Sequence, residues 1–224
     1  MLTSIQKKLF SYQDNEYKAF SQKLIKTKYP IIGVRTPIIK NISKELINKN
    51  TPLEKYKDKY HEEILLHGYA IGNINVDYKQ RLILIKKYLN VIDNWASCDQ
   101  FTMSLKFIKK NKKEYYKEIQ KHLKSNKEFI QRYALVCLLD YYVQDHDYLD
   151  NILKIITREK YNGYYSKMAG AWLLSYCFIF FFNETFEYVS SHKIDEFVIK
   201  KAAQKAVESY RVSKVRKIKL HTLY

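Results

Sequence analysis

Three cysteines in 224 residues exclude a dense disulfide framework and leave at least one thiol unpaired, which points to a reducing, cytoplasmic setting. Five glycines and three prolines exclude a collagen-like or linker-rich chain. Even the longest apolar runs, such as CFIFFF at 177–182, are too short to span a bilayer. The N-terminal MLTSIQKKLF lacks the apolar stretch of a signal peptide. No phosphate-binding glycine loop, dinucleotide fingerprint, GxSxG or HExxH occurs. The six histidines (61, 67, 122, 146, 192, 221) do not pair closely with Cys98, Cys137 or Cys177, so neither a metal nor a cofactor is expected. Cys98 has no histidine near it in sequence, which argues against a thiol nucleophile.

Acidic residues are also scarce: 23 against 40 basic ones, for a formal charge of +17. Arginine accounts for few of the bases (35, 81, 132, 158, 211, 216); lysine supplies the rest. Abundant Lys, Asn, Ile and Tyr are also the signature of an AT-rich genome. The charge nevertheless attracts polyanions, with nucleic acid the leading partner and an anionic membrane surface the competing one. With 46% hydrophobic residues the chain carries enough apolar surface for a sizeable core, read here as a single domain over 1–224.

What is present is helical. Ser43-Lys-Glu-Leu-Ile, Tyr78 to Leu89, Thr102 to Ile108, Glu128 to Val143, Tyr164 to Phe182 and Glu196 to Tyr210 carry apolar residues at three- and four-residue spacing. Alternating strand-like runs are absent. Pro30 and Pro37 bracket a non-helical segment, PIIGVRTP. The aromatics Tyr60, Trp95, Phe129, Tyr164 and Phe197 recur at steps of 35, 34, 35 and 33 residues. The last three open FIQRYA, YYSKMA and FVIKKA, sharing a base three residues on and an alanine after it. A fixed step near this length with two helices per step predicts an all-α fold, an α-solenoid of degenerate HEAT-like pairs.

In a solenoid, equivalent slots line one surface. Arg132, Lys167 and Lys200 share the slot three residues after the aromatic, near helix starts whose partial positive charge suits phosphate. A solvated row of charges is the plainer alternative. Arg35, between Gly33 and Pro37, falls at a helix entrance beside the same face. The ladder is broken at Glu63 and at WASCDQF, where Cys98 takes the slot and Asp99 follows. Asp99 is either a helix-start cap, the plainer reading, or a carboxylate set in a phosphate-binding face. It lies four residues after Trp95, hence on one face of a shared helix. Trp172 is the second of the two tryptophans. Both indoles are either core packing or aromatic walls flanking the acid.

These pieces, IIGVRTP (31–37), IDNWASCDQF (92–101), EFIQRYALVCLL (128–139), YYSKMAGAWLLSYCF (164–178) and KKAAQKAVESYRV (200–212), resemble the bacterial DNA alkylation repair proteins of the AlkD type, HEAT-like-repeat DNA glycosylases. The resemblance runs from about Tyr17 to Arg211. It implies a curved right-handed superhelix, monomeric, whose basic concave surface cradles duplex DNA and whose members hydrolyse the N-glycosidic bond of cationic N3- or N7-alkylated purines. Carried over by motif, Asp99 is the catalytic carboxylate, Trp95 and Trp172 the aromatic walls, Arg132 a backbone-holding residue and Arg35 a polar residue close to DNA. The resemblance also implies that the lesion is trapped without enclosing the base. The chain departs from the family pattern at Ser175, where active members often carry a base in W-x-x-R, and in the short stretch from Lys26 to Ile31 before GVRTP. Two other functions compete with excision: non-catalytic binding of DNA structure on the same scaffold, and a HEAT-like scaffold for protein partners.

Overall fold

A computed structural model describes residues 1–158 and 160–223. Among them are thirteen α-helices and no strand. They are α1 Ser4–Phe10, α2 Asn15–Leu24, α3 Thr36–Asn48, α4 His61–Asn73, α5 Tyr78–Tyr88, α6 Trp95–Ser104, α7 Lys112–Leu123, α8 Glu128–Tyr141, α9 Leu149–Arg158, α10 Tyr164–Phe180, α11 Phe182–Ser191, α12 Glu196–Glu208 and α13 Lys214–Leu220. Short 3-10 turns link several of them. The chain forms two compact units, one over Met1–Phe107 and one from Ile108 onward.

The aromatic period falls on every second helix. Tyr60 precedes α4, Trp95 and Tyr164 open α6 and α10, and Phe129 and Phe197 stand second in α8 and α12. In the first unit α4 packs against α3 and α6; in the second, α10 packs against both α8 and α12. Helices stacked on their neighbours in this way fit the all-α, α-solenoid reading within each unit. No helix among the described residues is long and apolar enough to cross a membrane.

Several sequence-based boundaries shift; Tyr164 to Phe182, for one, breaks at Phe181 between α10 and α11. The helix expected from Ser43 starts earlier, at Thr36, with Pro37 in its first turn, where a missing N–H costs nothing. The non-helical segment therefore ends at Arg35. Thr102 to Ile108 is not one helix. At Leu105 ψ swings to 49°, ending α6, and a 3-10 turn follows over Lys106–Lys110. The Thr102 and Ser104 hydroxyls donate to the carbonyls of Asp99 and Phe101, a local competition with helix propagation.

Buried carboxylates organise the first unit. Glu62 receives the backbone N–H groups of Ile32, Gly33 and Val34 at 2.9, 2.7 and 3.2 Å, which fixes the segment leading into α3. Glu63 accepts from the N–H groups of Lys57 and Lys59 and from Gln6 Nε2 of α1. This explains why an acid stands in the slot that holds a base elsewhere. Charge-assisted bonds of this kind offset the cost of burying the carboxylates. Around them Leu9, Ile32, Ile39, Ile42, Leu66 and Tyr69 form part of the core. Gly33 has φ +99°, and a Cβ there would sit 2.5 Å from the Asp14 carbonyl, so any side chain would strain this loop.

Candidate nucleic-acid interface and acid site

Helix α6 carries the candidate acid. Its N-cap is Asn94, whose side-chain oxygen accepts from the Ser97 N–H at 3.0 Å. Asp99 is the fifth residue of the helix, so the helix-cap reading is corrected: that duty belongs to Asn94. The start of α6 is anchored by its neighbours. Asp93 accepts from the Thr27 hydroxyl at 2.9 Å and the Lys28 N–H at 2.8 Å, and Asn94 donates to Asp93. His61 lies buried beside Asn94, and burial holds its pKa below the usual imidazole value.

Trp95 opens α6, half-buried, with Nε1 donating to the Leu24 carbonyl at 3.4 Å. Asp99 follows one turn later and is buried, 7% exposed. Met103, another turn along, is 52% exposed. Trp95, Asp99 and Met103 therefore form one stripe at four-residue spacing. Cys98 is fully buried on the neighbouring face. Burial also pushes the thiols of Cys137 and Cys177 above their usual range, as expected of packing residues.

Arg35 is the N-cap residue of α3, as expected of a helix entrance. Its guanidinium donates twice to Asp14 Oδ2, at 3.0 and 2.8 Å, and lies over the Tyr17 ring at 5.0 Å. Asp14 is itself the cap of α2, and its bond from the Tyr17 N–H, together with Arg35, holds its pKa below the usual carboxylate value. The arginine side chain remains more than half exposed.

In the second unit the three equivalent bases differ in exposure. Arg132 is 6% exposed and donates to the Tyr165 carbonyl at the start of α10, at 2.8 Å. Lys167 is partly exposed and pairs with Asp195, the cap of α12, at 2.7 Å. Lys200 is exposed on α12. The slot is thus a forward link from one repeat helix to the start of the next, and only its last member stands open. Glu128 and Gln131 add to this linkage: Glu128 accepts from the Tyr165 N–H, and Gln131 bonds to Leu123, Lys160 and Asn162. Trp172 is half-buried in α10, edge-on to Tyr176 at 6.3 Å. Ser175, where the family pattern often has a base, is buried and donates to the Trp172 carbonyl.

Sequence reasoning missed α2 and what it exposes. Phe20 and Leu24 are 57% and 50% exposed on a helix whose last turn accepts the Trp95 indole bond. Their spacing was visible, but spacing cannot say which side of a helix is covered. Also missed were the lysines of α3, Lys40 and Lys44, and Lys106 after α6. Among the described residues no group of three or more His, Cys, Asp or Glu is placed to hold a metal ion.

A family model described as DNA alkylation repair enzyme matches residues 5–206. No curated protein and no solved structure matches the chain.

Proposed function

The chain belongs to the DNA alkylation repair enzyme family, and from that premise we propose that it is a monofunctional DNA glycosylase that hydrolyses the N-glycosidic bond of cationic N3- or N7-alkylated purines in duplex DNA. The observation that carries this reading is the stripe on α6. Asn94 supplies the helix cap, so a carboxylate at Asp99, one turn beyond an indole, is not explained by helix capping.

The chemistry suits so sparse a site. An N3- or N7-alkylated purine already bears positive charge and departs as a neutral base, so no general acid is needed. As the C1′–N bond breaks, its electron pair leaves with the base and the sugar becomes an oxocarbenium ion. A fixed carboxylate beside that sugar is worth more there than in water, because it is oriented before charge develops. The same carboxylate orients the water that adds to C1′ and takes up its proton. The face of Trp95 adds attraction for the cationic sugar. In this proposal Trp172 is an aromatic contact for DNA on α10. Arg35 and Lys200 contact phosphate, while Arg132 and Lys167 hold their repeat helices in the register that presents DNA-facing groups.

The test is release of N7-methylguanine and N3-methyladenine from methylated duplex DNA by the wild type and by Asp99→Asn. Release by the wild type that disappears in the variant, with duplex binding and melting temperature preserved, is the expected result. A second reading, non-catalytic binding of distorted DNA, is favoured by the buried Ser175 in place of a base. It predicts salt-sensitive DNA binding with no base release by either protein.

A further inference from the structure

A groove of about 640 Å³ opens on the first unit between α3, α4 and the C-terminal half of α6. Its charge is of one sign. Lys40 and Lys44, one turn apart on α3, and Lys106 after α6 line it, with no Asp or Glu among the described lining residues. The nearest acid in sequence, Glu45, is already held by Lys8 and Lys49. None of the three groove lysines has an ion-pair partner among the described residues.

The other lining groups are those that meet a nucleobase. Tyr69 donates its hydroxyl to Gln100 Oε1, which leaves the Gln100 NH₂ group as the donor on offer. Asn41 adds a further amide, of the type that pairs with base edges, while the Asn73 amide donates to the Tyr69 carbonyl at 2.8 Å. The exposed Met103 side chain supplies a polarisable surface for a base face, and the Lys40 ammonium lies over the buried Tyr69 ring at 5.6 Å. Ser43 lies in the groove wall, 2% exposed, and its hydroxyl has no hydrogen-bond partner within the protein. A buried hydroxyl left in this way costs free energy unless a polar group answers it.

We propose that this groove receives one or two unpaired nucleotides of a DNA strand. The preferred substrate is then a duplex with a single-stranded element, such as a bulge or overhang, close to the damaged base. The volume lies in the range of about 300–1,000 Å³ typical of small-ligand sites, which suits a nucleotide and excludes a duplex. Met103, which lines the groove, stands one turn beyond Asp99 on α6. This inference rests on the reading of the protein as one that acts on DNA, but it concerns different residues from the proposed chemistry.

The experiment measures binding of a fluorescent single-stranded hexamer, a fully paired duplex, and the same duplex with a two-nucleotide overhang. Wild type is compared with Lys40→Gln/Lys44→Gln and with a control of equal charge change, Lys113→Gln/Lys117→Gln on the exposed side of α7. Thermal melts verify that each variant is folded. A tenfold or greater loss of hexamer affinity in the groove variant, loss of any preference for the overhang, and less than a twofold change in the control support the groove. Equal losses in both variants would show general attraction to positive charge and overturn it, as would a wild type that does not bind the hexamer. Mononucleotide that competes as well as the hexamer would assign the groove to free nucleotides and overturn the strand assignment. A Gln100→Leu variant reads the amide without altering charge and is expected to weaken the hexamer by about threefold. Alkylbase release from fully paired DNA by the wild type is scored separately, so failure of the groove and failure of the glycosylase reading give different results.

Discussion

The helix starts of the two units perform the same task with different chemistry. In the second unit, residues in the repeated slot reach forward to the next helix: Arg132 to the Tyr165 carbonyl, Lys167 to Asp195. In the first unit the slot is filled by Glu63 and Cys98, both buried, and the work passes to others. Glu62 and Glu63 gather backbone amides, and Asn94 caps α6. The lesson is that a repeated charge along a solenoid is not by itself a binding surface. Where the base reaches the start of the next helix it is a strut, as Arg132 is. At α6 the capping duty falls to Asn94 and not to Asp99.

Substitutions can break this contrast. The largest effect is expected at Asp99. Replacing it with Asn should lower single-turnover base release by about 10²–10³-fold, the usual scale for removing one preorganised electrostatic group, with little change in melting temperature. Arg132→Ala should do the opposite. It strips a buried donor from the Tyr165 carbonyl and should cost about 1–3 kcal/mol in chemical denaturation, with DNA affinity falling only as the fold loosens. Asn94→Ala removes the α6 cap and should cost about 1 kcal/mol, while Asn94→Asp retains most of it.

A smaller effect concerns pH. Burial lowers the pKa of His61, partly countered by Glu62 and Asp93, so the unfolded chain binds a proton more readily than the folded one. Stability is therefore full above the unfolded histidine pKa, about 6.5, and declines as pH falls below it. Melting temperature should drop between about pH 7.5 and 5.5, and His61→Asn should drop less. His122 is shifted in the same direction by burial and leaves a residual slope in that variant. Smallest of all, Lys200→Ala should reduce the salt slope of duplex binding by about one counterion without altering stability.

Much of the fold was legible in the sequence because aromatics at a regular step mark the starts of helices that must bury the same face. Trp95 and Tyr164 open their helices, and Phe129 and Phe197 stand second. The site was legible in part. The Trp95–Asp99 spacing placed both on one face, but whether Asp99 is the cap depended on one residue, Asn94, whose side chain accepts from the Ser97 N–H. Exposure was not legible. Arg132, Lys167 and Lys200 share a register yet range from buried to open, because what lies ahead of each differs: a bare carbonyl, a capping aspartate, and the last of the periodic helices. The groove was missed for a related reason. Lys40, Lys44 and Lys106 read as ordinary surface charge until α3 and the end of α6 are placed on either side of Tyr69.

The most direct measurement is single-turnover release of N7-methylguanine from duplex DNA by wild type, Asp99→Asn and Arg132→Ala, each with its melting curve. Asp99→Asn is expected to lose release while melting as the wild type does, and Arg132→Ala to melt early while its folded fraction still releases base. Release undiminished in Asp99→Asn would contradict it.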